Sequence, residues 1–237
     1  VILVPRYRKV EPCTAVQQRA IERALGQRDP FKREAMLFAF QQGGLGRVKR
    51  PVAGGNGNSS GWTWDSADKT AGITLSESNL RWTGSAAAND YVRGNISISG
   101  KVYWEIQCVT STDGISGIKR AAESISTSNQ IIGYRRGGTG QLINTVTGAT
   151  AIASTGTGYS ATDILMFAMD TTAAKLWIGL NGIWANSGNP AAGTGEAASV
   201  LGSNTYEPHG WSSNSSSSSA RIVSALNYAP PSGFSPL

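Results

Sequence analysis

Ser99-Gly-Lys-Val-Tyr-Trp-Glu-Ile-Gln-Cys-Val109, Ile164-Leu-Met-Phe-Ala-Met169 and Lys175-Leu-Trp-Ile-Gly-Leu-Asn-Gly182 decide the fold. They are short, rich in aliphatic and aromatic residues, and bounded by Gly, Asp or Asn, which marks them as β-strands. Asn181-Gly182 is a two-residue hairpin signal, because both central positions of the favoured turn need positive φ and these residues tolerate it. It predicts that the 175–180 strand folds back onto a strand containing Ile183-Trp184.

Outward from these runs, Ile73-Thr-Leu-Ser76, Tyr91-Val-Arg-Gly-Asn-Ile-Ser-Ile98 and Arg221-Ile-Val-Ser-Ala-Leu226 read as further short strands. Many short strands without intervening helices predict an antiparallel sandwich or barrel. The 29 glycines and the 15% of charged residues agree with a turn-rich β protein. The low-complexity run Ser212 to Ser219 is expected to be a mobile loop between strands.

The chain before residue 62 has a different character. Residues 1–50 hold eleven Lys/Arg against four Asp/Glu, leaving ten and eleven of the chain's 21 and 15 for the remainder. The net charge of +6 therefore belongs to this arm. Two short helices are predicted in it. The first starts near Thr14 and stops at Gly26, and the second starts at Asp29-Pro30 and stops at Gly43-Gly44. Phe31, Ala35, Met36, Ala39 and Phe40 form one apolar stripe on the second. That stripe packs either on the arm's own domain or on a partner, and helices this short gain their stability from such docking. Phe31, Met36 and Phe40, with the basic knot Arg47, Lys49 and Arg50, are the candidate docking residues. Residues 51–61 read as a Gly/Asn/Ser linker and 62–237 as the β domain. The arm has neither aromatic interleaving nor a recognisable reading module, so specific nucleic-acid binding is not expected.

Several chemistries find no support. Cys13 and Cys108 stand far apart without a neighbouring His at metal-ligand spacing, so no metal is expected and Cys108 reads as a small buried strand residue. No apolar run approaches the length of a membrane span, and Val1-Ile2-Leu3-Val4 is too short for a signal segment. The chain starts without Met, so either the initiator is gone or the numbering begins inside a longer product. Glycoside hydrolysis needs paired carboxylates, and Asp163 and Asp170 bracket a strand that separates their Cα atoms by more than about 20 Å. Glu105, inside a strand, either anchors a hydrogen bond or faces solvent. His209, the sole histidine, sits beside Pro and Gly and reads as a loop residue next to a buried Trp. Gly137-Gly-Thr-Gly140 lacks the strand-to-helix context of a phosphate loop. The chain is accordingly expected to be no enzyme and to use no cofactor.

Four pieces in order resemble the SPRY domain family, over residues 62–237. Trp64-Asp65 followed by Ile73-Thr-Leu-Ser-Glu-Ser-Asn79 is similar to its opening segment, and Ser99-Gly-Lys-Val-Tyr-Trp-Glu-Ile106 to its most diagnostic strand. Asp163 to Asp170 and Lys175 to Gly182 resemble its paired strands ending in an Asn-Gly hairpin. Asn227-Tyr-Ala-Pro-Pro-Ser-Gly-Phe234 resembles its closing segment. The resemblance implies an all-β fold, a bent sandwich of two antiparallel sheets whose loops at one rim form a binding surface for protein recognition. The middle, Thr110 to Tyr159, departs from the pattern by lacking the family's tryptophan-containing strand, and Ile131-Ile-Gly-Tyr134 stands in for part of it.

On that frame the expected rim segments are Asp113 to Gly117, Arg135-Arg136 with the following glycines, Ile183 to Gly195, and Tyr206 to Trp211. The candidate ligand-binding residues are Arg135, Arg136, Trp184, Asn186, Tyr206, His209 and Trp211. Trp62, Trp184 and Trp211, near turns, either stack on a ligand or bury a sheet edge. Gly182-Ile-Trp-Ala-Asn-Ser-Gly-Asn-Pro-Ala-Ala-Gly-Thr-Gly195 resembles the post-hairpin segment of SPRY-like domains in tailed-phage structural proteins. That second resemblance implies a virion component of the tail, baseplate or fibre, made in the host cytoplasm and present in several copies of a symmetric assembly. Its partners would be other virion proteins through the arm and a host-surface glycan or protein through the rim. The competing expectations are an assembly protein without a receptor and an intracellular adaptor for a short peptide.

Overall fold

A computed structural model describes residues 61–110, 112–127, 129–135, 140–145, 153–154, 158–199 and 204–237, with the backbone alone at 153–154. The predicted arm and linker, including Phe31, Met36, Phe40, Arg47, Lys49 and Arg50, lie outside the described residues, as does Arg136.

Two sheets make up the described chain. The first runs, neighbour to neighbour, β1 (Trp64–Lys69), β4 (Asp90–Gly94), β14 (Tyr206–Ser212), β6 (Gly114–Arg120), β7 (Ile131–Arg135), β8 (Gln141–Asn144) and β9 (Ala153–Ser154). The second runs β12 (Ile183–Trp184), β11 (Lys175–Leu180), β10 (Ile164–Asp170), β5 (Lys101–Cys108), β15 (Ser219–Ile222), β3 (Arg81–Thr83) and β2 (Thr74–Ser76). A short β13 (Ala198–Ser199) also pairs with β11, and β16 (Ser235–Pro236) lies parallel to β5. The other pairings are antiparallel, as the periodicity of two predicts.

Strand alternation sorts the side chains into three apolar layers. On β5, Trp104, Ile106 and Cys108 enter the core between the sheets, while Tyr103 belongs to a cluster on the outer face. Trp104 stacks on Phe167, its cross-strand partner on β10, with ring centroids 5.1 Å apart and planes 10° apart. Trp62, Trp64 and Trp82 continue the core as successive edge-to-face contacts. Each is buried, which settles Trp62 as core rather than a surface platform. Burial of an aromatic side chain of this size contributes roughly 2–3 kcal/mol. These contacts hold the two sheets face to face.

The hairpin forms as expected. Asn181 and Gly182 have φ of 50° and 87°, and Leu180 pairs with Ile183. Asn181 also closes the turn against the sheet, its Oδ1 accepting from Ile164 N at 2.9 Å and its Nδ2 donating to Asp163 Oδ1 at 2.8 Å.

Three expectations need correction. Gly114 to Gly117 is not a rim loop but the start of β6, and Tyr206 to Trp211 is not a rim loop but most of β14; both are interior strands of the first sheet. The run Ser212 to Ser219 does join β14 to β15, yet it is fastened rather than loose. Ser216 Oγ and Ser218 Oγ both donate to Asp113 O, at 3.1 and 2.6 Å, and Ser217 Oγ donates to Gly84 O at 2.6 Å. Ser219 Oγ donates to Trp82 O at 2.8 Å. Short hydroxyl side chains can satisfy backbone carbonyls at close range, and composition alone does not reveal that they do.

Candidate functional site

The outer face of the first sheet carries most of the polar side chains whose placement needs explanation. Register puts Arg93, His209, Gly117, Gly133 and Ile143 in one cross-strand row. The next row toward one end holds Tyr91, Trp211, Ile115, Arg135 and Gln141, and toward the other Glu207, Lys119 and Ile131. The two glycines let β6 and β7 approach closely, since a Cβ on Gly117 would collide with Ile132 O and one on Gly133 would stand 2.7 Å from Ile115 Cγ2.

At the end of this face Asp113, Arg135 and Trp211 meet. Arg135 Nε and Nη2 donate to Asp113 Oδ1 and Oδ2 at 3.0 and 2.7 Å, a bidentate pair. The same guanidinium lies 5.3 Å from the Trp211 ring centroid, within cation-π range. Its hydrogen bonds to Asp113 hold Arg135 above the usual arginine range. Asp113 is itself fixed, because its carbonyl receives Ser213 N, Ser216 Oγ and Ser218 Oγ. The side chains of Arg135 and Asp113 remain 35% and 28% exposed, so the group is rigid and still reachable. The residue types of Arg135 and Trp211 mark them as candidates in the sequence; nothing local to Asp113 shows that it orients Arg135.

Tyr206 and His209 do not join them. Tyr206 faces the core at 1% exposure, and His209 is fully buried on the outer face at 0%. Trp184 and Asn186 lie elsewhere, beyond the hairpin at the edge of the second sheet. Trp184 packs edge-on against Tyr103, with centroids 6.2 Å apart, as part of that sheet's outer layer. Asn186 donates from Nδ2 to Glu196 O at 3.3 Å. Beside them Ile183 is 75% exposed. The candidate residues thus fall into a pair on the first sheet, a pair at the edge of the second, and two buried positions.

Around His209 the sheet buries two cations. Arg93 Nη1 donates to Asp68 Oδ2 at 2.8 Å and to Ala121 O at 3.3 Å, and its Nη2 donates to the carbonyls of Arg120 and Glu123. Lys119 Nζ donates to Thr127 O at 2.6 Å and Asn129 O at 2.7 Å. Burial, reinforced by the Arg93 charge, pulls the Lys119 ammonium down to about 8. His209 is pushed well below its ordinary value by burial and by the charges of Lys119 and Arg93. Sequence reading missed both cations, because a buried Lys looks like any other strand Lys until its partners are known.

Carboxylates are committed to structural tasks. Asp163 and Asp170 stand just before and at the end of β10, the first capping Ser160 N at 2.6 Å and the second accepting from Thr172 N and Ala173 N. Glu105, 1% exposed, accepts from the Tyr103 hydroxyl, the Asn227 backbone and amide, and Tyr228 N. Among the described residues no group of three or more His, Cys, Asp or Glu is arranged to hold a metal ion, and no helix is long and apolar enough to cross a membrane.

This architecture is found in solved structures. The SPRY domain of human HERC1 is similar with a TM-score of 0.52 and 13% identity, over 70% of this chain and 99% of that one. The PSpry domain of TRIM65 is similar with a TM-score of 0.51 and 13% identity, over 70% of this chain and 93% of that one. No protein-family model and no curated protein matches the sequence. The fold is SPRY-like, an antiparallel β-sandwich of the kind those two domains share.

Proposed function

We propose that this chain is a non-enzymatic recognition module that binds a protein or glycan at the Asp113, Arg135 and Trp211 end of its first sheet. The observation that carries this reading is the fixed and partly exposed guanidinium, braced by a bidentate carboxylate and seated against an indole. Arg and Trp are the residues that dominate binding energy when held rigidly in a protein contact, because little conformational freedom is lost on docking. The SPRY-like fold supports the same reading, since the residues that resemble the family imply protein recognition. The particle to which the module belongs is a bacteriophage virion, in the tail, baseplate or fibre. Support for that comes from the 182–195 segment and from the positive charge gathered in residues 1–50, which serve as the docking arm. The copies take up positions in a symmetric assembly.

The test compares the full chain, the Arg135→Ala and Trp211→Ala variants and a chain starting at Gly61, each for binding to intact bacterial cells and to purified virion parts. The expected result is that both point variants lose at least tenfold in affinity for cells and retain the particle. The shortened chain should keep the cells and lose the particle. Cell binding unchanged by both point variants would remove the proposed site. Binding confined to virion parts and dependent on the arm would make this an assembly protein without a receptor.

A further inference from the structure

The loop between β6 and β7, described at residues 121–127 and 129–130, is held down by two buried cations that flank His209. Arg93 takes the carbonyls of Arg120, Ala121 and Glu123, and Lys119 takes those of Thr127 and Asn129. The loop's apolar contribution is Ile125, packed against the patch of Tyr91, Ile115, Ile131 and Ile143. A segment fixed by hydrogen bonds and one apolar anchor belongs to the low end of local stability.

We propose that this loop is an acid-released strap, and that His209 is the proton acceptor that releases it. His209 is 0% exposed, stands directly across from Arg93 on β4, and sits beside the Tyr91 ring at 6.0 Å. Neither Nδ1 nor Nε2 has a hydrogen-bond partner among the described residues. A proton gained there with the strap closed would put a third positive charge into one buried space, where neither ring nitrogen has a partner among the described residues.

The carboxylates on this face are already engaged. Asp68, on β1, pairs with Arg93 at 2.8 Å, and Glu207, on the same strand as His209, reaches Arg93 Nε at 3.6 Å. Glu123, in the strap, pairs with Arg120 at 3.6 Å. Tyr91 is a neutral phenol, with burial raising it above its ordinary value. Lys119, on β6, is the other cation facing the ring. Protonation therefore favours the state in which the strap has lifted and water reaches the imidazole. Lifting uncovers Arg93, Lys119 and His209 together, next to Tyr91 and Trp211, and so exchanges a loop whose one charge is the Glu123 carboxylate for a cationic aromatic face.

The experiment follows the full chain from pH 7 to pH 4.5 by two readouts. Hydrogen exchange, corrected for the intrinsic pH dependence, is measured on peptides covering 121–130 and on β10 and β11. The imidazole nitrogen resonances, unambiguous because the chain has a single histidine, report its protonation. The expected result is that His209 remains neutral at pH 6. Below that, strap opening should rise by about tenfold per pH unit, the limit for uptake of one proton, while β10 and β11 keep their protection. His209→Gln should flatten the pH dependence of the strap. The proposal is overturned if His209 titrates near 6.5 with strap protection unchanged. It is equally overturned if strap and strands lose protection together, or if the Gln variant keeps the wild-type pH dependence.

Discussion

The Glu105 carboxylate receives the backbone N–H of Tyr228 at 2.8 Å, joining the middle strand of the second sheet to a segment 123 residues further along the chain. Asn227 adds two donors to the other oxygen, at 2.8 and 3.0 Å, and the Tyr103 hydroxyl a fourth at 2.7 Å. An acidic strand residue that the sequence leaves open between anchoring and solvation is therefore the anchor of the closing segment.

Glu105→Gln should destabilise the fold by about 3 kcal/mol, because the amide turns one acceptor into a donor facing other donors. Urea unfolding measures the loss. Proteolysis should then cut first between residues 223 and 234, the stretch whose attachment has been weakened.

Gly117→Ala tests the close approach of β6 and β7. The added methyl meets backbone rather than a movable side chain, so a loss of about 3 kcal/mol is expected. Ile183→Ser, at an exposed hairpin position, should stay within about 0.5 kcal/mol in the same urea assay.

Asp113 and Arg135 should show a coupling of about 1 kcal/mol in a double-mutant cycle on stability. The geometry is bidentate, but both side chains are partly solvated, so salt should reduce the value. A coupling that persists undiminished at 1 M salt would contradict this description of the pair.

Stability should rise with pH between about 8 and 10, then fall. Lys119 is held at about 8 in the fold against 10.5 for a solvated lysine, so the unfolded chain binds more protons in that window. Its contribution is smallest below 8 and grows by up to about 1.4 kcal/mol per pH unit above it. Burial raises Tyr91 and Tyr103 above 10.0, so above that pH the unfolded tyrosines ionise first and stability is lost. Urea midpoints at pH 8, 9, 10 and 11 give both limbs, and Lys119→Met should flatten only the first.

The second sheet was largely legible in the sequence. Tyr103-Trp104-Glu105, the fully buried 164–170 strand and the Asn-Gly turn each carry a local signal that tertiary structure did not override. Two central strands of the first sheet were not legible. Gly114-Ile-Ser-Gly-Ile-Lys-Arg120 buries polar residues and glycine on both faces, which erases the alternation that marks a strand. Tyr206-Glu-Pro-His-Gly-Trp-Ser212 contains Pro208, a residue that argues against a central strand, and its ladder to β4 begins only at His209. The site was half legible for the same reason. Arg135 and Trp211 carry their chemistry in their residue types, whereas the roles of Asp113, Arg93 and Lys119 exist only through partners that the register brings to them.

The serine tract sets a length as well as a set of contacts. Ser212 ends a strand of one sheet, Ser219 begins a strand of the other, and hydroxyls between them reach Asp113 O in one direction and Gly84 O in the other. Here one serine more or fewer would shift every later hydroxyl away from its carbonyl, so a stretch of lowest information content in the sequence works as a measured spacer between the sheets.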